Sequence, residues 1–248
     1  MMWLFTLIAS LALGALVGRF LNWLSGAMIR GMEIQWEAEK NAVEILDRPA
    51  GLPRLIWNQK PPVSQWLTQW KRTPASVAMS IAGAVLMAAP VFFEATLLQS
   101  VFVLVGLLML LMLRIDAEHF ILPDVLVFTL LWSGLIWAAT FDPDPQRAII
   151  AAFAAYVGLY VLSEGYSALR GLQMMGHGDY KLFSALAVWL PYPMIPLLLL
   201  GASITMIVLW LVYYRHKKQV EMPFGPALIV AGALLILTES QPWLSIAS

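Results

Sequence analysis

The chain contains no cysteine. Disulfides, iron–sulfur clusters, thiolate zinc sites and cysteine nucleophiles are excluded at once. Histidine is nearly as scarce. His119, His177 and His216 are scattered, which leaves no histidine metal cluster. Charge is scarce too: only 12% of the 248 residues carry it, about half the usual soluble share. The 15 Lys and Arg balance the 15 Asp and Glu. There is no basic excess of the kind a nucleic-acid partner demands.

What is abundant is apolar surface. Hydrophobic residues make up 60% of the chain and the mean hydropathy is +0.77. One soluble core of this size could not enclose so much. The composition predicts an all-α polytopic membrane protein, with the lipid bilayer as part of its solvent. Met1 to about Leu24 lacks a basic n-region and a small-residue cleavage site, so it reads as a retained transmembrane anchor. Residues 25–78 hold nearly half of all the charge, with Pro49, Pro53, Pro61, Pro62 and Pro74 as breakers. They read as a small cytoplasmic loop domain, helix-compatible from Met28 to Leu46. Further spans lie at roughly 78–96, 97–115, 124–141, 147–168, 180–190, 193–214 and 223–239, most near the 20 residues a bilayer helix needs. The expectation is about eight transmembrane helices: a first helix over 1–24, the loop domain over 25–78, a seven-helix core over 79–240 and a short tail over 241–248.

Threading eight helices puts 14 of the 15 Lys and Arg residues on one side and Arg147 alone on the other. The positive-inside rule then makes the loop domain, the Asp116 turn, the 170–179 loop and the 215–222 loop cytoplasmic. Three acids gather on that side beside apolar runs: Asp116, Asp124 and Asp179. Acids at such positions are costly and invite a functional reading. Asp142 and Asp144 fall on the opposite face.

Two carboxylates on one side of a bundle suggest aspartyl hydrolysis. One takes a proton from water while the other, protonated, polarises the scissile carbonyl. Two close carboxylates share a proton and titrate as a pair. Asp116 and Asp124 lie eight residues apart, about 12 Å along one helix, and Pro123 breaks the segment between them. The better pair is one acid from this turn with Asp179 from the distant Gly176-His177-Gly178-Asp179 loop. Gly176 and Gly178 would let the backbone approach closely there. Each residue also has a plainer reading. Asp116 is a solvated boundary acid, Asp124 a helix N-terminus acid favoured by the dipole, Lys181 a snorkelling or counter-charge residue, His177 a loop residue, and Glu164 a structural hydrogen-bonding acid.

Taken together the motifs resemble the type IV prepilin peptidases, membrane aspartyl proteases of type IV pilus and type II secretion systems. Ile115-Asp116 through Leu122-Pro123-Asp124 resembles the first acidic motif, and Leu130-Leu131-Trp132-Ser133-Gly134-Leu135 resembles the segment after it. Gly176-His177-Gly178-Asp179-Tyr180-Lys181-Leu182 resembles the second acidic motif. Met222-Pro223-Phe224-Gly225-Pro226 resembles the start of the last helix, and Gly18-Arg19-Phe20-Leu21-Asn22 the N-terminal signature. Five in order cover nearly the whole chain. The resemblance implies cleavage of prepilin and pseudopilin leaders at the cytoplasmic face of the bacterial inner membrane. It implies Asp116 and Asp179 as the catalytic acids, with Asp124, Gly176, Gly178 and Lys181 supporting. It also implies no cofactor for cleavage, and S-adenosylmethionine for a second step that methylates the new N-terminus.

One departure stands out. Many members of that family carry two Cys-x-x-Cys pairs in the first loop, at metal-site spacing. Here that loop has none, so no zinc-stapled subdomain is expected. It would pack instead through Trp57, Trp66 and Trp70. Glu33, Glu37, Glu39 and Glu44 offer an acidic face to a basic leader. The rival reading from another class is an ion- or proton-coupled transporter. Against it, the acids gather at one boundary and no inverted repeat is visible. A presenilin-type intramembrane protease and an inactive scaffold are further rivals.

Overall fold

The computed structural model describes residues 2–46, 74–92, 97–170, 175–214 and 222–246, and all regular structure among them is helical. Eight α-helices appear in these segments: α1 (Met2–Leu46), α2 (Pro74–Phe92), α3 (Leu97–His119), α4 (Asp124–Phe141), α5 (Pro145–Arg170), α6 (His177–Ala187), α7 (Met194–Leu209) and α8 (Gly225–Ile246). A π-helical turn, Trp210–Tyr214, extends α7. Among the described residues four helical stretches are long and apolar enough to cross a membrane: Thr6–Glu37, Asp124–Phe141, Pro145–Arg170 and Met194–Val212. Pro74–Ala88 and Gly225–Thr238 are shorter apolar stretches. The loop tryptophans Trp57, Trp66 and Trp70 lie outside the described residues.

The chain forms two units, 1–91 and 92–248. In the first, α1 does not stop where its hydropathy falls near Leu24. It continues through the charged stretch to Leu46, because an exposed helix satisfies its own backbone whatever its side chains meet. Where α1 passes α2, glycine faces glycine. A Cβ on Gly14 would run into the Gly83 backbone, and one on Gly18 into the Met79 carbonyl. Small residues of this kind let helix backbones touch where lipid offers no hydrophobic drive for association.

In the second unit α6 is the hub. It packs against α4, α5 and α8, while α8 also lies against α3 and α7. Tyr180, Leu182, Phe183, Ser184, Ala185, Leu186 and Ala187 are all buried, as expected of a helix enclosed on every side. Ser184 Oγ donates to the Ala152 carbonyl of α5 at 2.8 Å. Trp189 Nε1 donates to the Leu130 carbonyl of α4 at 3.3 Å. The outward residues are apolar as well: Val125, Trp132, Ile136, Phe153 and Val212 are exposed. This is the pattern of a surface whose solvent is lipid.

Candidate active site

Asp116 lies one turn before the end of α3, after the buried Leu111, Met112 and Ile115. It is itself buried, with 4% of its surface exposed. The helix ends just beyond it. Phe120 takes a left-handed backbone, φ 58°, and its N–H bonds the Asp116 carbonyl at 2.9 Å. A non-glycine residue there is uncommon. The turn sends the chain to Pro123, the extended N-cap of α4. Proline at a helix start gives up no hydrogen bond that the helix needs.

Asp179 arrives from the other direction. Gly176, extended at φ −74° and ψ 148°, is the N-cap of α6, and Asp179 stands in the first turn. His177 is therefore the first helical residue and not a loop residue, because the glycine-rich turn ends at Gly176. Asp179 lies close enough to Asp116 for the two charges to interact. Both line one cavity of about 660 Å³, together with Phe120, Ile121, Leu122, Asp124, Met175, Gly176, His177, Gly178, Met222, Pro223 and Phe224. The structure thus brings together the two acids that the sequence separates by 63 positions.

The remaining candidates divide. Asp124 is the first residue of α4, in the first turn. Its carboxylate accepts from Lys181 Nζ at 2.7 and 2.8 Å. Lys181 is thus a counter-charge, with Asp124 as its partner. At Gly178 an added Cβ would press on Leu122 at 3.2 Å, whereas at Gly176 it would meet only Asp179 Oδ2 at 3.6 Å. Tyr180, wholly buried, donates from its hydroxyl to Ser163 Oγ at 2.8 Å and lies 3.4 Å from Glu164 Oε1. Glu33 and Glu37 are exposed on α1, and Glu39 and Glu44 lie further along the same helix.

Gly225 is a site residue whose position the sequence does not reveal. It opens α8, and its backbone lies against the Asp116 carboxylate. A Cβ there would collide with Asp116 Oδ2 and touch Cγ at 3.0 Å. Oδ2 itself is buried and has no hydrogen-bond partner among the described residues. A buried acceptor left so is costly and calls for an explanation. The Pro-Phe-Gly-Pro sequence was the available signal, but nothing in it says which acid the glycine faces. Among the described residues no three His, Asp or Glu side chains could jointly hold a metal.

Residues 102–211 match the type IV leader peptidase family. The chain is similar to a prepilin leader peptidase/N-methyltransferase of Dickeya chrysanthemi, 33% identical over 96% of this chain and 94% of the relative. A protein of the same name from Pseudomonas aeruginosa is 30% identical over 94% and 91%. One from Xanthomonas campestris pv. campestris is 28% identical over 90% and 88%. No solved structure matches the chain.

Proposed function

The chain belongs to the type IV leader peptidase family, and from that premise we propose that it cuts leaders from prepilins and pseudopilins by aspartyl hydrolysis. The setting is the bacterial inner membrane, with the site facing the cytoplasm. The observation that carries this reading is one cavity lined by Asp116 and Asp179 from two separate helices. Membership of a peptidase family sets the transporter reading aside.

In the proposed reaction the pair holds one proton. The ionised carboxylate removes a proton from a water molecule as its oxygen attacks the scissile carbonyl carbon. The protonated carboxylate donates a hydrogen bond to the carbonyl oxygen, which gains charge. The tetrahedral intermediate then collapses, the C–N bond breaks, and the departing amine takes a proton from the acid that holds it. Asp116 and Asp179 both line the cavity in which the attacking water would sit. Gly225 leaves room for the Asp116 carboxylate, and Met222, Pro223 and Phe224 line the cavity just before α8. The apolar segment of the substrate approaches through lipid, and its basic leader meets the acids of α1: Glu33, Glu37, Glu39 and Glu44.

The relatives are also named as N-methyltransferases, and such a step would use S-adenosylmethionine. Incubation with S-adenosylmethionine and a cleaved substrate tests methylation separately. For cleavage, the purified chain is mixed with a prepilin and the shortened product is monitored by mass. Release of the leader supports the reading, and intact prepilin after prolonged incubation overturns it.

A further inference from the structure

The local support of Asp179 comes from one residue, Gly176, whose backbone N–H bonds the Asp179 carboxylate. Its helix, α6, is only 11 residues long, and Gly176 at the N-cap offers no side-chain cap. The Asp179 N–H bonds the Gly176 carbonyl at 3.1 Å, and at Gly178 the backbone packs closely on Leu122. Besides this contact with Gly176, the residues just after Asp179 tie its helix to two neighbours. Tyr180 anchors one side to α5 through Ser163. Lys181 reaches the other way, donating to both oxygens of Asp124 on α4. The Phe128 ring lies 5.8 Å from its ammonium group.

The position of this ion pair matters more than its strength. Lys181 is two residues beyond Asp179. Asp124 lies on the far side of the turn that begins at Asp116 and lines the same cavity. The pair therefore joins the same two segments that carry the two acids. Asp124 is 54% and Lys181 29% exposed, and pairs this open add little to stability.

We propose that the Lys181–Asp124 ion pair is a positioning strut that sets the separation of the Asp116 and Asp179 carboxylates. It also neutralises Asp124, so that a third negative charge does not face the other two. The proposal rests on the reading of Asp116 and Asp179 as the cutting pair.

The chain's lack of cysteine makes the spacing measurable. In the full-length protein, Asp116→Cys with Asp179→Cys supplies one possible disulfide, whose rate of formation under mild oxidation reports how often the two positions meet. Adding Lys181→Met should slow that rate by about threefold or more, since each strut lost widens the range of geometries sampled. In the otherwise unaltered enzyme, Lys181→Met and Asp124→Asn should each lower kcat for prepilin cleavage by about tenfold, with KM and the thermal transition little changed. Lys181→Arg should restore most of the rate, and the Lys181→Met/Asp124→Asn double variant should be no worse than the poorer single. Where Lys181→Met does not fold, Asp124→Asn carries both measurements. An unchanged cross-linking rate, or a loss confined to KM, overturns the strut. A wild-type chain that cleaves nothing, while Lys181→Met still slows cross-linking, would count against the peptidase reading and leave the strut standing.

Discussion

Acids near the two ends of α4 stand in different circumstances. At one end Asp142 caps the helix and is tied down completely. Arg147 Nε and Nη2 donate to its Oδ2, and its Oδ1 accepts from the Asp144 N–H. Arg147 also donates to the Leu190 carbonyl just after α6. At the other end Asp124 is paired, but Asp116 beside it keeps a buried oxygen with no partner among the described residues. An acid whose every oxygen is answered by the fold holds the molecule together. An acid with one buried oxygen left unpaired carries a cost that invites a functional reading. Both ends belong to one packed unit, so the difference cannot be put down to packing quality.

The comparison breaks most sharply at the unanswered end. Asp116→Asn and Asp179→Asn should each reduce prepilin cleavage by roughly 10²–10⁴-fold without altering the helical circular-dichroism signal. A variant that cleaves at the normal rate removes that acid from the mechanism. Gly225→Ala comes next. Its methyl group would enter the space of the Asp116 carboxylate, and cleavage should fall by about 10²-fold, the scale of an ångström's misplacement. Gly158→Ala is the control, since a Cβ there meets nothing within 4 Å, and its rate should match the wild type.

At the answered end the loss should appear in stability instead. Arg147→Met strands the Asp142 carboxylate and the Leu190 carbonyl, which should lower stability by about 1–3 kcal/mol. The rate per folded molecule should stay near the wild type. Thermal melts beside active-site-normalised rates would show it, and a large rate loss with an unchanged melt would erase the contrast. The smallest effect separates chemistry from leader binding. Replacing Glu33, Glu37, Glu39 and Glu44 by Gln should slow cleavage of lysine-rich leaders by about threefold at low salt, and leave lysine-poor leaders unaffected.

Hydropathy made the helices legible because a lipid solvent leaves long apolar runs. It does not mark where α1 ends, since hydropathy reports the solvent around a side chain and not where backbone hydrogen bonds cease. Asp116 and Asp179 were readable as candidates because an acid beside an apolar run is conspicuous. Lys181 was readable as a counter-charge, yet its partner 57 positions away was not, because a long flexible side chain can reach several neighbours. Phe120 was invisible for a different reason. Glycine or asparagine announces a left-handed residue, and phenylalanine does not. Gly225 needed the fold itself, since only packing decides which side chain fills the space beside a glycine.

The 18 residues of α4 set a length of about 27 Å, and this length acts as a gauge. The shorter α6 is slung between its two ends by the reach of two cations, Lys181 to Asp124 and Arg147 between Asp142 and Leu190. Inserting one residue in the middle of α4 would turn its ends by about 100° relative to one another, and both cations could not then be satisfied together. On the proposal that the Lys181–Asp124 pair positions the two acids, their spacing is written into the residue count of a neighbouring helix that supplies neither of them.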